Sequence, residues 1–145
     1  MCVGVGCYPE KHAFSNDFDQ EIYLLKQKIA AGASYAVTQM FFDNSKYFEF
    51  VDRCRKENIT IPIIPGIKIL DKPRQIDILP EMFKTEIPKE LYSEAIENIE
   101  HIQEIGTRWA IKQSEELINA GVPIIHYYLM NDTSCMLRIL NHLHK

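Results

Sequence analysis

Residues 31–43 have the sequence AGASYAVTQMFFD, which indicates how the whole chain is organised. The Ala-Gly pair is typical of a helix C-terminus, and residues 35–42 then form a nearly continuous apolar run. Continuous apolarity, rather than strict alternation, is typical of a strand that is covered on both faces. Ala120-Gly121 leads in the same way into a second apolar run at residues 124–130. The sequence therefore predicts repeated βα units and a parallel sheet with right-handed crossovers.

Four apolar runs are predicted as the strands of this α/β fold: residues 2–7, 35–42, 61–64 continuing into 65–67, and 124–130. The first three start about 30 residues apart, the usual length of a βα unit. The gap before the fourth run is twice as long. We interpret residues 70–95, which contain three prolines, as a surface excursion with one short helix, within a single domain spanning residues 1–145.

Apolar patterns with the period of a helix lie between the predicted strands. The first helix is predicted to begin after Asp17 or Asn16 and the second within Asp43-Asn44-Ser45, since these side chains cap helix N-termini well. A long helix is predicted near residues 97–120. The last helix is predicted to begin at Asp132 or Thr133, with an inward face made of Met136, Leu137, Leu140 and Leu143.

Composition restricts the possible classes of protein. The 145 residues are 46% hydrophobic and 25% charged, which excludes intrinsic disorder, and the net charge of −4 argues against a nucleic-acid partner. The length is below the roughly 250 residues of a complete eight-stranded α/β barrel. Four cysteines without CxxC spacing predict reduced thiols and no metal site. With neither a signal peptide nor a membrane span in the sequence, we expect a soluble cytoplasmic protein.

Polar residues near the predicted strand ends are the candidate site, because parallel α/β folds bind ligands at the carboxyl ends of their strands. Gln39 interrupts an apolar strand, and its carboxamide suits the edge of a planar heterocycle, although a hydrogen bond to neighbouring backbone would explain it equally well. The rings of Tyr8 and Tyr128 could stack on a ligand or pack in the core. Lys28 ends a helix, where a cation suits either the dipole or a phosphate.

A series of short motifs then resembles the 5,10-methylenetetrahydrofolate reductase family. The motifs are YPEKH at residues 8–12, AGA at 31–33, VTQMFFD at 37–43, IIPGI at 63–67, WAI at 109–111 and HYY at 126–128. They follow one another at the family's spacing over essentially the whole chain. The resemblance implies a (βα)8 TIM barrel that binds FAD and reduces methylenetetrahydrofolate to methyltetrahydrofolate with NAD(P)H, in one-carbon and methionine metabolism.

The resemblance also implies roles for particular residues. Tyr8, His12, Glu21 and Lys28 correspond to flavin-binding positions. Gln39, Gln75 and Tyr128 correspond to positions that contact the folate substrate, and Gln39 also faces the nicotinamide. No catalytic residue is implied within this chain, since the acid expected to protonate the pterin belongs to the family's N-terminal half.

Departures from the family pattern accompany the resemblance. Glu21 stands where the family usually has Asp, Ala30 replaces an Asp, and Asp132 stands near a position that is commonly basic. The four predicted strands correspond to barrel strands five to eight, so we expect half of a (βα)8 barrel that is inactive in isolation. One alternative is a non-catalytic truncated half-barrel that pairs with itself or with a partner half. Another is a flavodoxin-like domain, although Tyr8-Pro9-Glu10 lacks the small and hydroxyl residues of a phosphate loop.

Overall fold

A computed structural model describes residues 1–10, 17–130 and 132–144. Within these residues the chain is an α/β protein with parallel strands and six α-helices, which is consistent with a partial TIM-like fold. Its elements, in chain order, are β1 (Gly4–Cys7), α1 (Phe18–Ala30), β2 (Tyr35–Thr38), α2 (Asn44–Lys56), β3 (Ile63–Ile64), β4 (Gly66–Lys68), α3 (Gln75–Phe83), α4 (Lys89–Glu97), a 3-10 turn (Ile99–His101), α5 (Ile102–Asn119), β5 (His126–Tyr128) and α6 (Ser134–Leu143).

The first two helices begin where the sequence predicts. The Asp17 carboxylate accepts a hydrogen bond from the Gln20 backbone N–H at 2.8 Å, and the Asp43 carboxylate accepts one from the Ser45 N–H at 2.9 Å. These contacts satisfy N–H groups that have no partner inside the helix. Asn16, the alternative cap, lies outside the described residues. Asn58 follows α2 in the left-handed conformation, at φ 61°, and so stops that helix.

The strands form two parallel sheets, β1-β2-β3 and β4-β5. The predicted count of four strands is therefore wrong, because the third run is divided at Pro65. Proline has no N–H and cannot continue a ladder of backbone hydrogen bonds. Residues before it pair with β2, where Ala36 and Val37 lie beside Ile63 and Ile64. Residues after it pair with β5. One apolar run thus connects the two sheets.

Two clusters of buried apolar side chains hold the elements together. The first packs the strands against α1, α2, α5 and α6, and includes Leu25, Ala36, Phe50, Ile67 and Leu117. The second includes Leu70, Ile76, Leu79, Leu91 and Ile105. Residues 70–95, interpreted as an excursion with one short helix, contain α3 and most of α4. Their apolar side chains supply half of this second core, which forms one side of the cavity described below.

Two helix predictions require correction. The helix predicted near residues 97–120 starts as a 3-10 turn and becomes α5 at Ile102. In α6 the buried side chains are Cys135, Met136 and Ile139, whereas Leu137 is 58% exposed and Leu140 38% exposed. Because α6 carries apolar residues on more than one face, its sequence does not select the face that packs on α5. The tertiary contact with α5 makes that selection.

Candidate functional site

Thr38 joins the two sheets at the carboxyl end of β2. Its hydroxyl accepts a hydrogen bond from the Gly66 backbone N–H at 2.8 Å, and its carbonyl accepts one from the Tyr128 hydroxyl at 2.8 Å. A Cβ atom at Gly66 would lie 2.4 Å from the Thr38 carbonyl oxygen and 2.6 Å from the Tyr128 ring. Only glycine fits so close an approach of two strands and a ring. The Pro-Gly pair of the IIPGI motif therefore positions Tyr128.

A cavity of about 620 Å³ opens beside this junction. Three sequence-predicted substrate residues, Gln39, Gln75 and Tyr128, line it together. Apolar side chains form much of the remaining wall: Met40, Ile78, Leu79, Met82, Phe83, Leu129 and Met130. A mostly apolar cavity with a few convergent polar groups is the usual form of a small-molecule site.

Gln39 follows β2 directly and is held by the backbone around it. Its own N–H donates to the Cys7 carbonyl at 2.7 Å, and its Oε1 accepts a hydrogen bond from the Met40 N–H at 3.0 Å. The backbone donor identifies Oε1, because only the oxygen of a carboxamide can accept. Its Nε2 has no hydrogen-bond partner among the described residues. Gln39 therefore offers the cavity two N–H donors, while its oxygen is already bound to the backbone.

Gln75, the first residue of α3, closes the loop that leads into this helix. Its Oε1 accepts hydrogen bonds from the N–H groups of Asp71 at 2.8 Å and Lys72 at 3.1 Å. Its Nε2 donates to the Asp71 carboxylate at 2.7 Å. The oxygen is thus fully engaged, and one N–H remains for a ligand. Gln75 both supports the loop and presents a donor of fixed orientation.

Lys68, which the sequence motifs do not single out, lies on β4 in the wall of the same cavity. The residue is only 8% exposed. Its ammonium donates to the Tyr128 carbonyl over 3.4 Å and lies 3.9 Å from the Asp71 carboxylate. A buried ammonium with few close partners is costly unless something else binds it. The signal that could have revealed it is a lysine within the apolar run of residues 67–70.

The ring of Tyr128 is fixed on two sides. Its hydroxyl donates to Thr38, and the His126 ring meets it edge-on with 4.6 Å between the ring centroids. Burial raises the pKa of the Tyr128 phenol, and negative charge on Cys7 or Tyr8 would raise it further. The phenol therefore stays neutral, and with its hydroxyl engaged the ring offers a ligand its face.

Three of the residues predicted to bind flavin lie where α1 packs beside the end of β1. Lys28 donates to the Gly6 carbonyl at 2.7 Å, and its ammonium lies 5.6 Å from the centroid of the Tyr8 ring. Glu21 is buried on α1. Burial, followed by the negative charge of Glu21, raises the pKa of Tyr8. The structure therefore brings Tyr8, Glu21 and Lys28 together, whereas His12 lies outside the described residues.

Three further sequence predictions concern metal binding, membrane spans and Asp132. In the described part of the chain, no group of three or more His, Cys, Asp or Glu side chains is placed to hold a metal ion. Each helix of the described residues is too short or too polar to span a bilayer. The Asp132 carboxylate accepts a hydrogen bond from the Ser134 N–H at 2.8 Å. That bond lowers the pKa of Asp132 and so stabilises its charged form.

The sequence of this chain is similar to those of known reductases. Residues 1–144 match the methylenetetrahydrofolate reductase family. The chain is 35% identical over 140 residues to 5,10-methylenetetrahydrofolate reductase of Buchnera aphidicola from Schizaphis graminum, covering 94% of this chain and 48% of that protein. It is 34% identical over 146 residues to a probable methylenetetrahydrofolate reductase (NADPH) of Caenorhabditis elegans, covering 97% of this chain and 22% of the relative.

The chain thus spans about half the length of the bacterial relative and less of the nematode one. Among solved structures, a Clostridium thermocellum protein described as binding two copies of 5-methyl-5,6,7,8-tetrahydrofolic acid superposes with a TM-score of 0.61 at 16% identity. That match covers 97% of this chain and 51% of the other, and it shows a shared fold. The family match over residues 1–144 shows that this chain belongs to the methylenetetrahydrofolate reductase family.

Proposed function

We propose that this chain forms the folate-binding half of a flavin-dependent methylenetetrahydrofolate reductase. In this proposal its βα units form the C-terminal half of a (βα)8 barrel, strands five to eight, with β3 and β4 as two parts of one barrel strand, in one unit spanning residues 1–145. The complete enzyme reduces 5,10-methylenetetrahydrofolate to 5-methyltetrahydrofolate with NAD(P)H in the cytoplasm. The convergence of Gln39, Gln75 and Tyr128 on one cavity is the observation that carries the proposal.

The chemistry of the cavity suits a reduced folate. Gln39 and Gln75 each present N–H donors, which match the ring nitrogens and the carbonyl of a pterin. The face of Tyr128 and the apolar wall suit the aminobenzoyl ring, which gains stability when it leaves water. A nicotinamide also has a planar ring with a carboxamide, so the same donors suit NAD(P)H when it occupies this face in turn.

The residues at the end of β1 fit a flavin dinucleotide. Gly6 is exposed on β1, so a flat ligand can approach the backbone there, and the Lys28 ammonium, which donates to the Gly6 carbonyl, suits a phosphate. FAD supplies the carrier that accepts a hydride from the nicotinamide and passes it to the folate. Tyr8, Glu21, Lys28 and His12 are the residues proposed to hold it. Flavin absorbance that remains with the protein through gel filtration would support this site.

Folate binding is the experiment that tests the proposal. Titration of the purified chain with 5-methyltetrahydrofolate should give saturable binding. Gln39→Leu removes the donors at similar size and should weaken binding about tenfold, the effect of one lost ligand hydrogen bond. Gln27→Leu, the same change at an exposed position of α1, should leave the affinity unchanged. Equal affinities in all three proteins would contradict the proposed role of the cavity.

We further propose that the 145-residue chain does not complete the reduction by itself. The resemblance assigns protonation of the pterin to a carboxylic acid, and the residues described in the cavity wall include none. An anaerobic assay that follows NAD(P)H oxidation with methylenetetrahydrofolate and FAD should therefore show no turnover. Turnover by the pure chain would contradict this part of the proposal.

The second proposal is that the chain associates with another copy of itself or with a complementary half-barrel. In the described residues β1 pairs only with β2, and β5 pairs only with β4. Parallel strands with free edges and exposed apolar side chains favour association. Met130 is 77% exposed next to β5, and Leu137 is 58% exposed on α6. For self-association, light scattering after gel filtration of the pure chain should show a mass above 16.9 kDa, and a monomer at all concentrations would contradict it.

A further inference from the structure

The cavity wall carries more positive charge than the substrate contacts predicted from the sequence explain. Lys68, Lys72 and Arg74 line it, and no lining residue described there is acidic. All three cations belong to β4 or to the loop between β4 and α3. One side of the cavity is therefore cationic, while the carboxamide of Gln39 and the apolar wall form the rest.

The three cations differ in how their charges are balanced. Lys68 is buried, and its ion-pair partner among the described residues is the Asp71 carboxylate, 3.9 Å away. Lys72 and Arg74 are exposed, and neither forms an ion pair within 4.0 Å with another described residue. Asp132 is near enough to Lys72 for their charges to interact, but it accepts a hydrogen bond from Ser134 and interacts more with Arg138. Two cationic groups at the cavity rim are thus left for a ligand.

Hydrogen bonds hold the loop that carries these two cations. The Lys72 backbone N–H donates to Gln75 Oε1 at 3.1 Å, and the Gln75 backbone N–H donates to the Lys72 carbonyl at 3.0 Å. The Ile78 N–H donates to the Arg74 carbonyl at 3.1 Å, which places Arg74 at the start of α3. Since the backbone is already ordered, a ligand has only to order the side chains.

We propose that Lys72 and Arg74 form an anionic subsite that binds the glutamate tail of the folate. This inference rests on the proposed function, in which a reduced folate occupies the cavity. Glutamate carries two carboxylates, and two uncompensated cations at one rim match that number. Lysine binds a carboxylate as a point charge and arginine binds one with two parallel N–H groups.

The test compares 5-methyltetrahydrofolate with its bis-amide, in which both glutamate carboxylates are converted to neutral amides of nearly the same shape. Calorimetric titration of the wild-type chain should show at least about tenfold weaker binding of the bis-amide, because charged hydrogen bonds are lost. In the double variant Lys72→Gln/Arg74→Gln that difference should fall below about twofold. The control Lys56→Gln removes an exposed cation on α2 and should keep the full difference.

Each outcome bears on the subsite. If the double variant binds the bis-amide as tightly as the wild-type chain does, the cavity is intact. The loss of the affinity difference between the two ligands then reports only the contacts of the glutamate tail. Equal affinity of the wild-type chain for the two ligands would overturn the subsite without any variant. If the double variant keeps the full affinity difference between the two ligands, the proposed subsite is wrong, although folate binding in the cavity is supported. Failure of the wild-type chain to bind either ligand would overturn the proposed function and the subsite together.

Discussion

Replacing Thr38 by valine tests whether this side chain holds the two sheets together. Threonine and valine have nearly the same shape, so the change removes one hydroxyl and creates no cavity. Thr38 is completely buried, and its Oγ1 accepts the hydrogen bond from the buried Gly66 N–H. In the variant that N–H has no acceptor at this position and lies away from water. We therefore expect stability to decrease, with the carbonyl contact from Tyr128 unchanged.

The magnitude follows from the cost of a buried, unpaired N–H group, about 1–3 kcal/mol. Valine favours strands as much as threonine does, so strand propensity changes the result by only a few tenths of a kcal/mol. Urea denaturation, followed by the fluorescence of Trp109, the only tryptophan, measures the free energy of unfolding. We expect a loss of about 1–3 kcal/mol with an unchanged slope.

The matched control is Thr60→Val, the same change at an exposed position that precedes β3. It should alter the free energy of unfolding by less than about 0.5 kcal/mol. If Thr38→Val costs no more than this control, the hydroxyl does not hold Gly66, and the account of the junction beside the cavity is wrong.

Three further predictions concern packing, pH and thiols. Gly106→Ala should cost at least about 1–3 kcal/mol in urea denaturation, because its Cβ would lie 1.8 Å from the Leu70 carbonyl oxygen; an unchanged midpoint would refute this close packing. Burial raises the pKa of the Glu10 carboxyl above its ordinary 4.5, so the stability that Glu10 contributes is present below pH 4.5 and is lost as pH rises through the raised pKa. When the free energy of unfolding is measured at a series of pH values above 4.5, Glu10→Gln should reduce this loss of stability. An equal loss in the variant and the wild-type chain would contradict the raised pKa. A thiol reagent should modify Cys2 rapidly in the native protein and react slowly at the buried thiols, Cys7, Cys54 and Cys135; rapid reaction of all four cysteines before unfolding would contradict the packing.

The order of the elements and the polar strand ends follow from the sequence. Gly32 and Gly121, with φ 109° and 83°, end their helices as the Ala-Gly pairs predict, because positive φ costs glycine little. Gln39 is an unusual polar residue in the sequence because an apolar strand does not favour a carboxamide. These are local signals, and each depends on a few neighbouring residues.

The convergence of the site depends on tertiary structure. Gln39, Lys68 and Tyr128 are far apart in sequence, and only the pairing of β4 with β5 and the bridge from Thr38 to Gly66 bring them to one cavity. The same holds for the inward face of α6, where more than one face is apolar. The sequence by itself determined the βα order, most helix ends and the family motifs, because backbone chemistry and apolar period act over short distances. Tertiary structure alone decided which sheet each side of Pro65 joins, the burial of Lys68 and the cationic side of the cavity, because each depends on which distant segments pack together.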